Sequence, residues 1–177
     1  MAFFSFFTFG LGSNVYDDLN RLSTVSLQAN AQGPVVEISR MYYDSYANRP
    51  SGMNYQVGHL STLPAQSTLL NPQAMPSMSR TAVLDENQNK VKDLVAVMYY
   101  DNLGRVVQTI AQNHKDNTLE VSSTELDFVG RVMASKTSGQ GIDIEQRSSY
   151  DNGGRLASIC QKISPVATAA LAPSGQG

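Results

Sequence analysis

One six-residue phrase recurs three times in the second half of this chain: an aromatic or Leu, then Asp, two variable residues, Gly and Arg. The copies are Tyr100-Asp101-Asn102-Leu103-Gly104-Arg105, Leu126-Asp127-Phe128-Val129-Gly130-Arg131 and Tyr150-Asp151-Asn152-Gly153-Gly154-Arg155. Their glycines stand 26 and 24 residues apart (104 to 130, 130 to 154). A steady period in the twenties marks a stack of supersecondary units, none of which buries a core alone. A fainter copy is Tyr16-Asp17-Asp18-Leu19-Asn20-Arg21, with Asn20 in the glycine slot. Asn is the non-glycine residue best suited to positive φ. A more degraded copy is Tyr43-Asp44-Ser45-Tyr46-Ala47-Asn48-Arg49, with one residue inserted before Asn48.

Each copy reads as the turn of a β-hairpin. The run before Asp101, Asp93-Leu94-Val95-Ala96-Val97-Met98-Tyr99-Tyr100, is apolar, β-branched and aromatic, as strands are. Asp can accept from the N–H groups of the turn, and Gly supplies the left-handed position that closes a longer hairpin loop. Arg opens the return strand, where its stem can cover an aromatic ring. The spacing leaves open whether that Arg pairs with its own Asp or with a neighbouring repeat. A row of functional charges is the rival reading of the same residues; turn chemistry explains them more simply. From Ile142 to Tyr150, Ile142, Ile144 and Tyr150 alternate with Asp143, Glu145 and Arg147, predicting a strand with one wet face. Strands are also expected at 80–84, at 92–100 (central or covered on both faces), at 118–128 and at 155–163. No long amphipathic helical pattern occurs, so the expected fold is all-β: consecutive antiparallel hairpins in a curved, open sheet.

The predicted organisation is an aromatic segment at 1–15, the first repeats at 16–48, a Pro-rich irregular connection at 49–80, a repeat sheet at 81–163 and a flexible tail at 164–177. Five of the six phenylalanines fall in the first nine residues. That segment has no basic leader and no Ala-x-Ala site, so it does not read as a secretory signal, and it is too short to span a bilayer. In the connection, prolines at 50, 64, 72 and 76 exclude central strands, leaving a long loop with a short strand near 53–57. The net charge of −2, with 16% charged residues, offers no basic field for nucleic acid. The single cysteine, Cys160, excludes an intrachain disulfide and is expected as a small buried residue.

With Tyr-Asp-x-x-Gly-Arg in this rhythm, the chain resembles the rearrangement-hotspot (Rhs), or YD-repeat, family, best from Val91 to Ile163. Tyr99-Tyr100-Asp101-Asn102-Leu103-Gly104-Arg105-Val106-Val107-Gln108-Thr109 is similar to versions in Bacteroidetes-type surface proteins. The resemblance implies hairpins laid side by side in a spiralling sheet that closes into a hollow shell. Bacterial members enclose a C-terminal toxin there; related animal proteins use it in adhesion. It implies a secreted or surface location, with partners that are the remaining repeat segments or other copies meeting at exposed sheet edges. The chain contains no Asp-Pro dipeptide, so the family's self-cleavage and toxin are not carried over. Ten strands at about 4.8 Å span about 48 Å, under half the circuit of a cavity about 40 Å across.

Chemistry-bearing motifs are sparse. Asp85-Glu86-Asn87-Gln88-Asn89-Lys90 lacks the Gly and the twelfth-position Glu of a calcium loop and reads as a polar turn. His59 and His114 lack Cys or acidic companions at ligand spacing. No cofactor, metal or catalytic set is expected, and the chain reads as a non-catalytic structural or interaction module. The alternatives are a carbohydrate or adhesion surface using Tyr42, Tyr46 and Tyr55 as stacking platforms, and a hydrolase built on Asp17 and Asp44.

Overall fold

The computed structural model describes residues 12–17, 21–28, 35–61, 72–87 and 89–165. Asn20, the N-terminal phenylalanines and residues 166–177 lie outside them. The described chain forms one ten-stranded sheet, antiparallel throughout, in which spatial order follows sequence order. The strands are β1 (Gly12–Tyr16), β2 (Leu22–Gln28), β3 (Val35–Tyr43), β4 (Pro76–Leu84), β5 (Lys90–Tyr100), β6 (Val106–Gln112), β7 (Leu119–Leu126), β8 (Val132–Gly139), β9 (Ile142–Tyr150) and β10 (Leu156–Pro165). β1 and β10 each have one strand neighbour, so the sheet is open. The all-β expectation is met. The single sheet runs through the boundaries drawn from the sequence, and β10 continues through Ser164 and Pro165, two residues assigned to the tail.

The repeat carries a feature beyond its motif. Next to every Tyr-Asp turn the pairing skips one residue of the return strand: Ser23, Ser77, Val107, Met133 and Ala157. Each is a β-bulge, which bends its strand and increases the local twist. The bulge recurs along one edge of the sheet; further register shifts fall at Val83/Leu84 and Val25/Ser26.

The largest correction concerns the Pro-rich segment. In the second turn the motif is opened after Asp44, and the chain returns to it only at Met75, whose carbonyl accepts from Asp44 N–H at 3.3 Å. Met75, not Arg49, therefore occupies the closing position, and residues 45–74 are an insertion into a turn. Its described part lies back over one face of the sheet as a strap. Met53 and Leu60 are almost fully buried, Met53 with Met78, Val95, Val97, Tyr99, Ile110 and Val121, and Leu60 with Val107 and Ala134. The expected strand near 53–57 is absent: this stretch is turns and bends. Its backbone is satisfied by side chains of the sheet instead. Tyr99 Oη donates to Met53 O at 2.5 Å, Gln108 bonds both Gln56 N–H (2.7 Å) and Gln56 O (3.1 Å), and Ser77 Oγ donates to Ser45 O at 2.6 Å. Against the exclusion of central strands from 49–80, Pro76 opens β4, which is paired on both sides; the first residue of a strand is a position where a missing N–H is tolerated.

The strap covers one face of the middle strands, so central β5 is buried as its composition implies. Its described part reaches Ser138 on β8 and the neighbourhood of Asp143 at the start of β9. The register puts Ile142 (47% exposed), Leu156, Ile159 and Ile163 on the opposite face, where they are exposed, while Ile144 and Tyr150 are half-buried. Cys160 pairs with Arg147 on the strap's face but is exposed, against the expectation of a buried thiol.

If the strap is half of the core, Met53→Ala should destabilise the fold by about 2–5 kcal/mol, as truncation of a buried Met does. Val57→Ala, in the same segment but exposed, should stay within about 0.5 kcal/mol of the parent. Urea unfolding monitored by tyrosine fluorescence distinguishes them.

Candidate functional site

The row of turns along one sheet edge is the most regular constellation in the molecule. In the three full copies the Asp N–H donates to the Arg carbonyl (101 to 105, 127 to 131, 151 to 155) at 2.9–3.0 Å, and the Gly N–H donates back to the Asp carbonyl. The Asp carboxylate completes the loop. Oδ1 accepts from the N–H two residues on (Leu103, Val129, Gly153) and from the Arg N–H, all at 2.9–3.0 Å. Oδ2 takes the Arg Nε at 2.7–2.8 Å. Gly104, Gly130 and Gly154 have φ of +75°, +92° and +76°, the left-handed region that a side chain disfavours. Asp17 and Arg21 repeat the arrangement, with Arg21 Nε to Asp17 Oδ2 at 2.7 Å; the Asn20 slot between them lies outside the described residues.

Arg21, Arg105 and Arg131 also reach forward. The pairings Thr24 with Arg40, Met78 with Val97, Gln108 with Ser123 and Ala134 with Arg147, continued three residues, place Arg21 opposite Tyr43, Met75 opposite Tyr100, Arg105 opposite Leu126 and Arg131 opposite Tyr150. Arg21 lies over the Tyr43 ring, 4.0 Å from its centroid, and bonds Asp44 Oδ2 at 2.8 Å. Arg105 Nη1 donates to Asp127 O at 2.6 Å, and Arg131 lies 4.8 Å from the Tyr150 centroid. The tyrosines reach back: Tyr43 Oη donates to Leu22 O, Tyr100 Oη to Pro76 O and Tyr150 Oη to Val132 O, at 2.6–2.9 Å. Every acceptor is the first residue of the preceding hairpin's return strand. Successive turns are thus interlocked, arginine forward and tyrosine backward. The question left open by spacing has both answers: Arg pairs with its own Asp and contacts the next repeat.

Electrostatics agree. Asp101 sits in a site whose desolvation pushes its pKa up, but hydrogen bonds from Arg105 and Leu103 outweigh this and hold it below the usual carboxylate range. Asp127 behaves likewise, and Asp151 is held low by Arg155 and Gly153. Arg21, bonded first to Asp44 and then to Asp17, is raised above its ordinary value.

A second polar cluster lies under the strap. His59 Nδ1 is 2.8 Å from Ser123 Oγ and its Nε2 is 2.7 Å from Ser138 Oγ. Gln108 Oε1 accepts Gln56 N–H, so its Nε2 donates to Ser123 at 2.9 Å. Ser123 Oγ keeps its hydrogen and a second lone pair for His59, so the ring tautomer sets which nitrogen donates to which hydroxyl. The Ser138 hydroxyl in turn faces Asp143 and, with Lys136, holds that carboxyl low, although Asp143 Oδ1 has no partner of strict hydrogen-bond geometry. His59 thus sits between two serine hydroxyls, one on β7 and one on β8, and ties the strap to both strands. Burial, then Lys136, keep the His59 pKa below its usual value, opposed by Asp143. Ser138 also lines a cleft of about 790 Å³ between the turns at 113–118 and 139–141, whose walls carry no aromatic ring.

The remaining candidates resolve by geometry. Asp17 and Asp44 come together, but around the Arg21 guanidinium, and the depressed Asp44 cannot hold a proton for acid catalysis near neutrality. Tyr42, Tyr46 and Tyr55 pack against the core rather than standing exposed; Tyr46 stacks on Tyr99 with centroids 4.9 Å apart. Residues 85–89 form a closed polar turn, in which Asp85 Oδ1 accepts from Asn87 and Asn89 N–H. Among the described residues no group of three or more His, Cys, Asp or Glu could hold a metal. No helix there is long and apolar enough to cross a membrane.

The site and fold define an open antiparallel sheet of interlocked hairpins. No family model matches the chain, and no curated protein matches it significantly.

Gly130→Val should cost about 1–2 kcal/mol through backbone conformation alone, because no atom lies within 4 Å of the added Cβ. The depressed turn carboxylates contribute stability above the unfolded Asp pKa of about 3.9, and that contribution is lost as pH falls through their lower folded values. Thermal midpoints measured from pH 5 downward should therefore fall less steeply for Asp127→Asn than for the parent.

Proposed function

We propose that this chain is a non-catalytic structural module, a slice of a YD-repeat β-shell from a secreted or surface-displayed protein. Its partners at the sheet edges are further repeat segments. The observation that carries this reading is the interlock itself: each of the four junctions between successive turns has an Arg-forward or a Tyr-backward contact, and the first and last have both. Residues that are regular in both sequence and space serve the join between units, as expected where stability is a sum of repeat and neighbour terms. A role in enclosing cargo such as a toxin follows from the resemblance alone. The carbohydrate and hydrolase alternatives have less support: Tyr42, Tyr46 and Tyr55 are partly buried against the core, and Asp17 and Asp44 both bind Arg21.

Appending a duplicate of residues 142–165 after β10 tests this. If the chain is a repeat slice, the added hairpin docks, the thermal midpoint rises, and amides along the outer edge of β10 gain protection from hydrogen exchange. Unchanged β10 exchange in the extended chain would contradict the reading.

A further inference from the structure

The interlock has a direction, and each end of the sheet presents one half of it. Arg155 closes its own turn onto Asp151 but has no following turn among the described residues, and its side chain is 85% exposed, against 28% for Arg105. Leu156, whose carbonyl is the counterpart of the acceptors at Leu22, Pro76 and Val132, begins an exposed strand without an outer neighbour. At the other end Tyr16, the counterpart of Tyr43, Tyr100 and Tyr150, is 41% exposed, and β1 pairs only with β2. A cation and a backbone acceptor stand at one end, an aromatic ring with its hydroxyl at the other.

We propose that the chain self-associates head to tail, the β10 edge of one copy pairing antiparallel with the β1 edge of a second copy, so that Arg155 covers the second copy's Tyr16. This rests on reading the turn row as a joining device. The occupant is argued from continuity: the register that sets Arg131 opposite Tyr150 sets Arg155 opposite Tyr16 and Ser158 opposite Ser13 of the next copy. Tyr16 Oη then donates to Leu156 O, as Tyr150 donates to Val132 O within the chain. Two copies of β10 paired about a two-fold axis would leave both arginines without a ring, so the heterologous contact is favoured. Such a contact does not consume its own ends, and it propagates into open chains unless curvature closes a ring.

Sedimentation velocity over a concentration series tests the inference by complementation. The parent should show a sedimentation coefficient that climbs with concentration. Arg155→Glu and Tyr16→Ala should each remain monomeric, while retaining the parent's β circular dichroism. An equimolar mixture of the two variants should form dimers and stop there, because only one intact Arg155 end meets one intact Tyr16 end. Tyr16→Phe, which keeps the ring and loses only the hydroxyl, should associate more weakly than the parent but more strongly than Tyr16→Ala. A parent that stays monomeric throughout would overturn the proposal, as would dimerisation of Tyr16→Ala alone, the mark of two-fold β10 pairing. Either result would leave the appended-hairpin test standing, so failure here is distinct from failure of the repeat-module reading.

Discussion

The closure of each turn by a single carboxylate is the interaction on which the rest of the sheet depends. A hairpin loop of this length leaves several N–H groups facing inward, and the Asp side chain takes two of them while fixing the Arg beside it. With Nε and Nη2 of Arg105 on its own Asp, Nη1 is left to offer, and the antiparallel register delivers the neighbouring turn to it. The local solution to a turn problem thus becomes the means of joining one hairpin to the next. A bidentate-capable, planar cation suits this double duty better than Lys, whose ammonium is a single point charge.

Bulges and cover follow from the same row. The bulge beside every turn bends its strand at that edge, and the insertion that interrupts the second turn drapes over a face. That insertion costs the turn its own Arg, and Arg21 from the preceding turn serves Asp44 instead. The strap is held both by Met53 and Leu60 in the core and by sheet side chains that substitute for strand pairing, Gln108 above all, together with the hydrogen-bond chain through Ser123, His59 and Ser138. Buried polar groups of this kind are tolerable only when nearly every member is satisfied. Here the stakes are visible at Asp143 and Arg80, each with one buried atom lacking a partner.

Much of the fold was legible because its information is local. Asp-x-x-Gly-Arg between apolar runs specifies a turn with a mechanism, and the strand runs at 92–100 and 142–150 carry the period and composition of a sheet. The strap was illegible because its fold rests on contacts 46 to 79 residues away, such as Met53 with Tyr99 and His59 with Ser138. The prolines said nothing of where the chain would lie, and the exclusion of central strands drawn from them fails at Pro76, which opens β4 between β3 and β5. The same omission misplaced Cys160, which lies on the strap's face of β10, and Tyr46 and Tyr55, which the strap carries into the core. The forward contacts of the arginines could have been anticipated from the fixed aromatic position preceding each Asp, but only once strand order was known.

The central claim is that neighbouring turns are energetically coupled, and a double-mutant cycle on Arg131 and Tyr150 measures this directly. Replacing Arg131 by Met, as found at position 75, and Tyr150 by Leu, as at position 126, keeps each side chain within what the repeat already uses. The account predicts a coupling of about 0.5–1 kcal/mol, the size of an exposed cation–π contact. Losses that add to within about 0.3 kcal/mol would contradict it, reducing the turn row to hairpins that stand side by side without holding one another.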